Sequence, residues 1–171
     1  SSSIDMLDGT IGNIYGGSKS AGFGKANYSS SSAIDINIYG GTIGNIYGGS
    51  DNEGLVYGSV TVNVYDGNIT HNVYGGGRGS NTFVHSDINV SIGNTISNHP
   101  VINGSVYGGS AYGTVNAAST NGPANGNTNV TIYNGIIHGS VFGGAQGSTS
   151  ATPHVLGNIT VNINGGSIGT S

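Results

Sequence analysis

Ile43-Gly44-Asn45-Ile46-Tyr47-Gly48-Gly49 repeats Ile11-Gly12-Asn13-Ile14-Tyr15-Gly16-Gly17 residue for residue. The phrase returns, shortened, as Asn72-Val73-Tyr74-Gly75-Gly76-Gly77, Ser105-Val106-Tyr107-Gly108-Gly109 and Ser140-Val141-Phe142-Gly143-Gly144. The equivalent aromatics Tyr15, Tyr47, Tyr74, Tyr107 and Phe142 are 32, 27, 33 and 35 residues apart. A recurrence of this length marks stacked units, none of which buries its apolar face alone.

A second phrase precedes the first in most copies: Ile34-Asp35-Ile36-Asn37-Ile38-Tyr39, Val60-Thr61-Val62-Asn63-Val64-Tyr65, Asp87-Ile88-Asn89-Val90-Ser91, Asn129-Val130-Thr131-Ile132-Tyr133 and Ile159-Thr160-Val161-Asn162-Ile163. Apolar and polar residues alternate strictly and the apolar ones are β-branched, so each is a strand with one buried face. Gly40-Gly41, Asp66-Gly67 and Asn134-Gly135 follow as turn signals. Glycine is too frequent for helices. Each copy reads strand, tight turn, short strand, Gly-Gly turn and variable loop, with the longest loops at Ser18 to Ser32 and Tyr112 to Gly126. The expected fold is all-β: one right-handed parallel β-helix, or β-solenoid, of about five coils across residues 1–171, a segment of a longer or polymeric assembly.

Alternation assigns the columns. Ile36, Val62, Ile88, Val130 and Val161 are expected inside, with Ile38, Val64, Val90, Ile132 and Ile163 beside them; Ile4 and Met6 begin the two columns. Ile14, Ile46, Val73, Val106 and Val141 make another inward column. The outward columns hold Asp35, Thr61, Asp87, Asn129 and Thr160; then Asn37, Asn63, Asn89, Thr131 and Asn162; then Leu7, Tyr39, Tyr65, Ser91, Tyr133 and Asn164. The Tyr15 to Phe142 column is expected to face outward, partly covered by the Gly-rich turns, as a packing ladder.

Composition excludes whole classes of partner. Of 171 residues, 34 are Gly and only 6% are charged. Lys19, Lys25 and Arg78 are the only cations, too few to follow a nucleic-acid backbone. There is no Cys, hence neither disulfide nor thiolate metal site. No apolar run reaches the length of a membrane helix, so no membrane insertion is expected. A hydrophobic share of 35% at regular spacing argues against disorder. The chain opens Ser1-Ser2-Ser3 without an initiator Met or a signal peptide, as a processed product or an excerpt would.

The I/V-Y-G-G phrase after a T/N-V-N-V strand resembles the glycine-rich Y-G-G-G repeats of large bacterial cell-surface and secreted adhesin-like proteins. The resemblance runs from Ile4 to Gly169. It implies a β-helix, extracellular display, and a role in attachment or fibre formation.

Catalysis is not expected. Hydrolases and lyases on β-helices need paired carboxylates, or a carboxylate with a cation. The seven acids are Asp5, Asp8, Asp35, Asp51, Glu53, Asp66 and Asp87. Asp51 and Glu53 share a loop, Asp35 and Asp87 share a column two coils apart, and none is paired with a cation. His71, His85, His99, His138 and His154 lack a metal-ligand spacing. No metal site and no cofactor are expected.

Three functions remain. The first is an extracellular structural or adhesin-like scaffold, supported by the repeats, the low charge and the few trypsin sites. The second is a filament subunit stacking on itself end to end, with Ile4 and Met6 of one copy against Val161 and Ile163 of the next. The third is a module binding a surface polysaccharide through Tyr39, Tyr65, Tyr133, Asn37, Asn63 and Asn89, where flat sugar faces would stack on rings and amides would hydrogen-bond hydroxyls.

Overall fold

The computed structural model describes residues 1–24, 32–96, 99–115 and 126–169. Most of the two long variable loops, 25–31 and 116–125, lies outside the described residues. The first coil contributes β1 (Ser2–Met6) and β2 (Thr10–Tyr15), and the second β3 (Ile34–Ile38), β4 (Thr42–Tyr47) and β5 (Asp51–Val56). The third holds β6 (Val60–Val64), β7 (Asn68–Ile69), β8 (Val73–Tyr74) and β9 (Arg78–Val84). The fourth holds β10 (Ile88–Ile92), β11 (Val101–Ile102), β12 (Val106–Tyr107) and β13 (Thr114–Val115). The fifth holds β14 (Thr128–Ile132), β15 (Ile136–Ile137) and β16 (Val141–Phe142), followed by β17 (Ile159–Ile163) and β18 (Ser167–Ile168).

These strands form a parallel β-solenoid of about five turns. The first sheet stacks β1, β3, β6, β10, β14 and β17 in unbroken order. The second contains β2 and β4 as continuous strands; in later coils it divides into β7, β11, β15 and β18 on one side and β8, β12 and β16 on the other. A third sheet, β5, β9 and β13, occupies what the sequence presents as variable loop. Its short apolar pairs Leu55-Val56 and Phe83-Val84 are too brief to show a period. Val56, Val84 and Val115 nonetheless close the third side of the core. Asp51 and Glu53 therefore lie in a strand, with a register shift between them.

The core is one cluster of stacked Ile and Val. In the first sheet, Ile36, Val62, Val90, Val130 and Val161 form the middle inward column, and Ile38, Val64, Ile92, Ile132 and Ile163 the next. Ile88 belongs to a third column with Ile34, Val60, Thr128 and Ile159. The fourth coil is thus shifted by two residues from the expected register, which placed Ile88 against Val62 and Val90 against Val64. Alternation cannot detect such a slip, because moving a strand by two residues leaves every side chain on its own face. The turn sets the register instead. Gly41, Gly67 and Gly135 occupy it with φ of +88°, +103° and +109°, a conformation open to glycine. Pro100 stands at that place in the fourth coil, and the chain reaches it through an insertion after Gly93.

The slip rewrites the outer face too. Asn89 stacks in the column of Asp35, Thr61 and Asn129, while Ser91 takes the place beside Asn63. Asp87 precedes that column, and its carboxylate accepts hydrogen bonds from the Asn127 backbone N–H at 2.8 Å and side chain at 3.0 Å.

Glycine in the Y-G-G phrase fixes how closely the sheets approach. A Cβ on Gly48 would sit 2.0 Å from the Gly75 carbonyl oxygen and 2.5 Å from Val60 Cγ1. By contrast, a Cβ on Gly144 would meet only Ile159 Cδ1, at 3.8 Å. Overpacking costs about 1–3 kcal/mol, or about 2–12 °C of melting temperature in a chain of this size. Gly48→Ala is therefore expected to lower the melting temperature by about that much, and Gly144→Ala to leave it nearly unchanged. Equal melting temperatures for the two variants would mean that the close approach at Gly48 is wrong.

Candidate functional site

Two decorated faces lie outside the core. On the second sheet, Tyr15, Tyr47, Tyr74, Tyr107 and Phe142 form one continuous stack, with centroids 4.8–5.0 Å apart and planes within 11° of parallel. In-register pairing dictates this, because each ring stands on the rung below. The ladder faces away from the main core as expected. Tyr47 and Tyr74 are buried in a second apolar cluster with Ala111. Arg78, Ala111 and Gln146, linked by β-bridges, lie over the ladder. The Tyr74 hydroxyl donates to Gln146 Oε1 at 2.5 Å. The Arg78 guanidinium carbon lies 5.5 Å from the Tyr15 centroid and 6.0 Å from that of Tyr47.

Arg78 is held there by Asp51, with 2.7 Å between Nε and Oδ1. In sequence Asp51 has no cation near it; the strand pairing of β5 with β9 puts it directly beside Arg78. The carboxylate hydrogen bond raises the Arg78 pKa further.

Just before each ladder aromatic, Asn13, Asn45, Asn72, Ser105 and Ser140 form a polar column at the bend of the second sheet. Asn45 donates to Asn13 at 3.0 Å, and Asn45 and Asn72 side-chain oxygens accept the backbone N–H of Asn72 and Ser105. The sequence carried this signal, since the residue before I/V-Y/F-G-G is always Asn or Ser.

The second face is the outer surface of the first sheet, where the candidate ligand residues lie. Asn63 donates to Asn37, and Asn37 to Asp5, each at 2.9 Å. Asn89 stands one column away, receiving a 3.1 Å hydrogen bond from Asn129. The structure therefore brings Asn37 and Asn63 into one ladder and leaves Asn89 in another. Tyr39 and Tyr65 stack with centroids 5.1 Å apart. Gly93, rather than Ser91, follows the fourth-coil strand in that row, so Tyr133 is two rungs from Tyr65.

The residues expected at the ends lie at open coils. Ile4 and Met6 pack against the core and, with Leu7, Ile11 and Ile14, line a 560 Å³ opening at the first coil. Val161 and Ile163 are 39% and 58% exposed at the opposite end. The described residues contain no group of three His, Cys, Asp or Glu side chains placed to hold a metal.

Burial raises the pKa of Tyr15, Tyr47, Tyr65 and Tyr74 above the ordinary 10.0. An unfolded tyrosine loses its proton near 10.0, while these four, in the folded chain, keep theirs to higher pH. Their contribution is thus complete below pH 10 and declines as pH rises above it. Absorbance titration of the folded protein should be biphasic, with the late phase absent in denaturant. All ten tyrosines ionising together at the ordinary midpoint would contradict the buried ladder. Comparison of the chain with protein-family models, with curated proteins and with solved structures finds no match, leaving the geometry of these faces as the ground for a functional reading.

Proposed function

We propose that this chain is an extracellular structural scaffold of the adhesin-like kind, a stiff rod without catalytic activity. The observation that carries the reading is the continuity of its ladders. Stacked rings and hydrogen-bonded amides tie successive coils together on the outside, as Ile and Val columns do inside. Each such contact is small, but repetition along one axis resists local opening.

The acids support the same reading. Asp51 is committed to Arg78 and Asp87 to Asn127. Asp5 accepts from Asn37, while Asp8 and Asp66 each accept the backbone N–H of the following glycine. Carboxylates spent on structural hydrogen bonds fit a scaffold better than acid–base chemistry. Proteinase K applied to intact producing cells should remove the antibody signal for this chain while a cytoplasmic marker survives. A signal protected until the cells are lysed would overturn the extracellular assignment.

End-to-end stacking is a second reading, favoured by the matching ends. β1 carries Ile4 and Met6, and β17 carries Val161 and Ile163, in the same two inward columns. Neither strand has a proline or lysine that would block pairing along its outer side. A head-to-tail contact of this kind propagates as a fibre. Sedimentation velocity should then show concentration-dependent assembly that Val161→Lys abolishes. Assembly unchanged by that substitution, or a wild-type chain that stays monomeric, removes this reading.

A further inference from the structure

The outer tyrosine row of the first sheet has a missing rung. Val64, Ile92 and Ile132 are in register, so the next residues in the row are Tyr65, Gly93 and Tyr133. Backbone hydrogen bonds confirm the order: the Gly93 N–H donates to Val64 at 2.7 Å, and the Tyr133 N–H to Ile92 at 2.8 Å. Two rungs at about 4.8 Å put roughly 9.6 Å between the Tyr65 and Tyr133 positions. A cleft of about 350 Å³ lies there, lined by both tyrosines, Gly93, Asn63, Ser91, Asn94 and Thr95.

The gap is built into the chain. The Asn134 carboxamide occupies the space a Gly93 side chain would need, since a Cβ on Gly93 would lie 1.9 Å from Asn134 Oδ1. Asn134 Nδ2 donates to the backbone carbonyls of Asn94 and Ile96, holding the start of the inserted loop beside the cleft. Tyr39 covers one face of Tyr65, leaving the other toward the vacant rung. Tyr133 is 40% exposed.

We infer that this cleft binds one neutral pyranose ring of a polysaccharide, sandwiched between Tyr65 and Tyr133. Size selects the ring. Carbon contacts of about 3.5–4.0 Å on both faces give a planar aromatic guest a span of roughly 7–8 Å, short of two rungs. A pyranose is thicker, because its axial C–H bonds project from both faces, and it meets an aromatic ring at a distance near one rung on each side. Chemistry selects neutrality. The lining contains no carboxylate, amine or guanidinium, while Asn63, Ser91, Asn94 and Thr95 offer amides and hydroxyls to equatorial hydroxyl groups. The site differs from a flat row of three tyrosines, because Tyr39 lies outside it.

That difference is the test. A β-1,4-linked glucose hexamer, whose rings carry equatorial hydroxyls and apolar faces, is titrated calorimetrically into the full chain. Binding should weaken at least ~10-fold in Tyr65→Ala and in Tyr133→Ala, with Tyr39→Ala within ~2-fold of wild type. Ser91→Trp, which fills the cleft while keeping both tyrosines, should give the same loss and guards against an effect of altered folding. No binding of the hexamer overturns the inference. Equal losses in all three tyrosine variants mean that a sugar chain lies along the row, which also overturns it. Binding of N-acetyltyrosinamide without the hexamer, lost in the same variants, would assign the cleft to aromatic guests instead.

Discussion

Where the Tyr-Gly-Gly phrase crosses the core, the backbone of one sheet meets the side chains of another with no room for a methyl group. Gly16, Gly48, Gly75 and Gly143 lie against Ile34, Val60, Ile88 and Ile159, each with a Cγ atom 2.3–2.5 Å from where a Cβ would stand. This contact sets the width of the interior. A narrow interior admits Ile and Val stacked like upon like, with few voids and no need for large residues. Equal coil cross-sections keep the strands in register, and register puts ring upon ring and amide upon amide outside. The aromatic stack and the Asn ladders thus follow from a constraint inside the core.

Much of this was legible in the chain. The repeated phrase and the alternating strands determined a parallel solenoid, and the inward columns of β3, β6 and β14 read directly from period two. Two features were not legible, for separate reasons. The third sheet rests on apolar pairs such as Leu55-Val56, too short to carry a period, and β5 needs a register shift and a positive φ at Asn52 to form at all. The two-residue slip at β10 leaves the alternation intact; only the turn chemistry, proline at 100 instead of glycine, reveals it.

That slip matters for the surface more than for the core. Inside, exchanging Val90 for Ile88 changes a column by one methylene. Outside, it moves Asn89 out of the Asn37–Asn63 ladder and places Gly93 where Ser91 was expected, turning a continuous row into one with a vacant rung. The Arg78–Asp51 pair arose similarly, from strand pairing within a stretch that looked like loop. Sequence patterns foresaw the solenoid, while the irregular features of its surface sit where the repeat is broken.

The absence of cysteine in the chain allows its register to be read by disulfide trapping. Asn63 and Ser91 are direct partners, so their Cα atoms lie about 4.8 Å apart, within the range a disulfide spans. Asn89 is two residues further along the strand, roughly 8 Å from Asn63 and beyond that range. Mild oxidation of the Asn63→Cys/Ser91→Cys protein should give an intramolecular disulfide in high yield, and the Asn63→Cys/Asn89→Cys protein should stay reduced. The reverse result would contradict the in-register stacking and, with it, the vacant rung at Gly93.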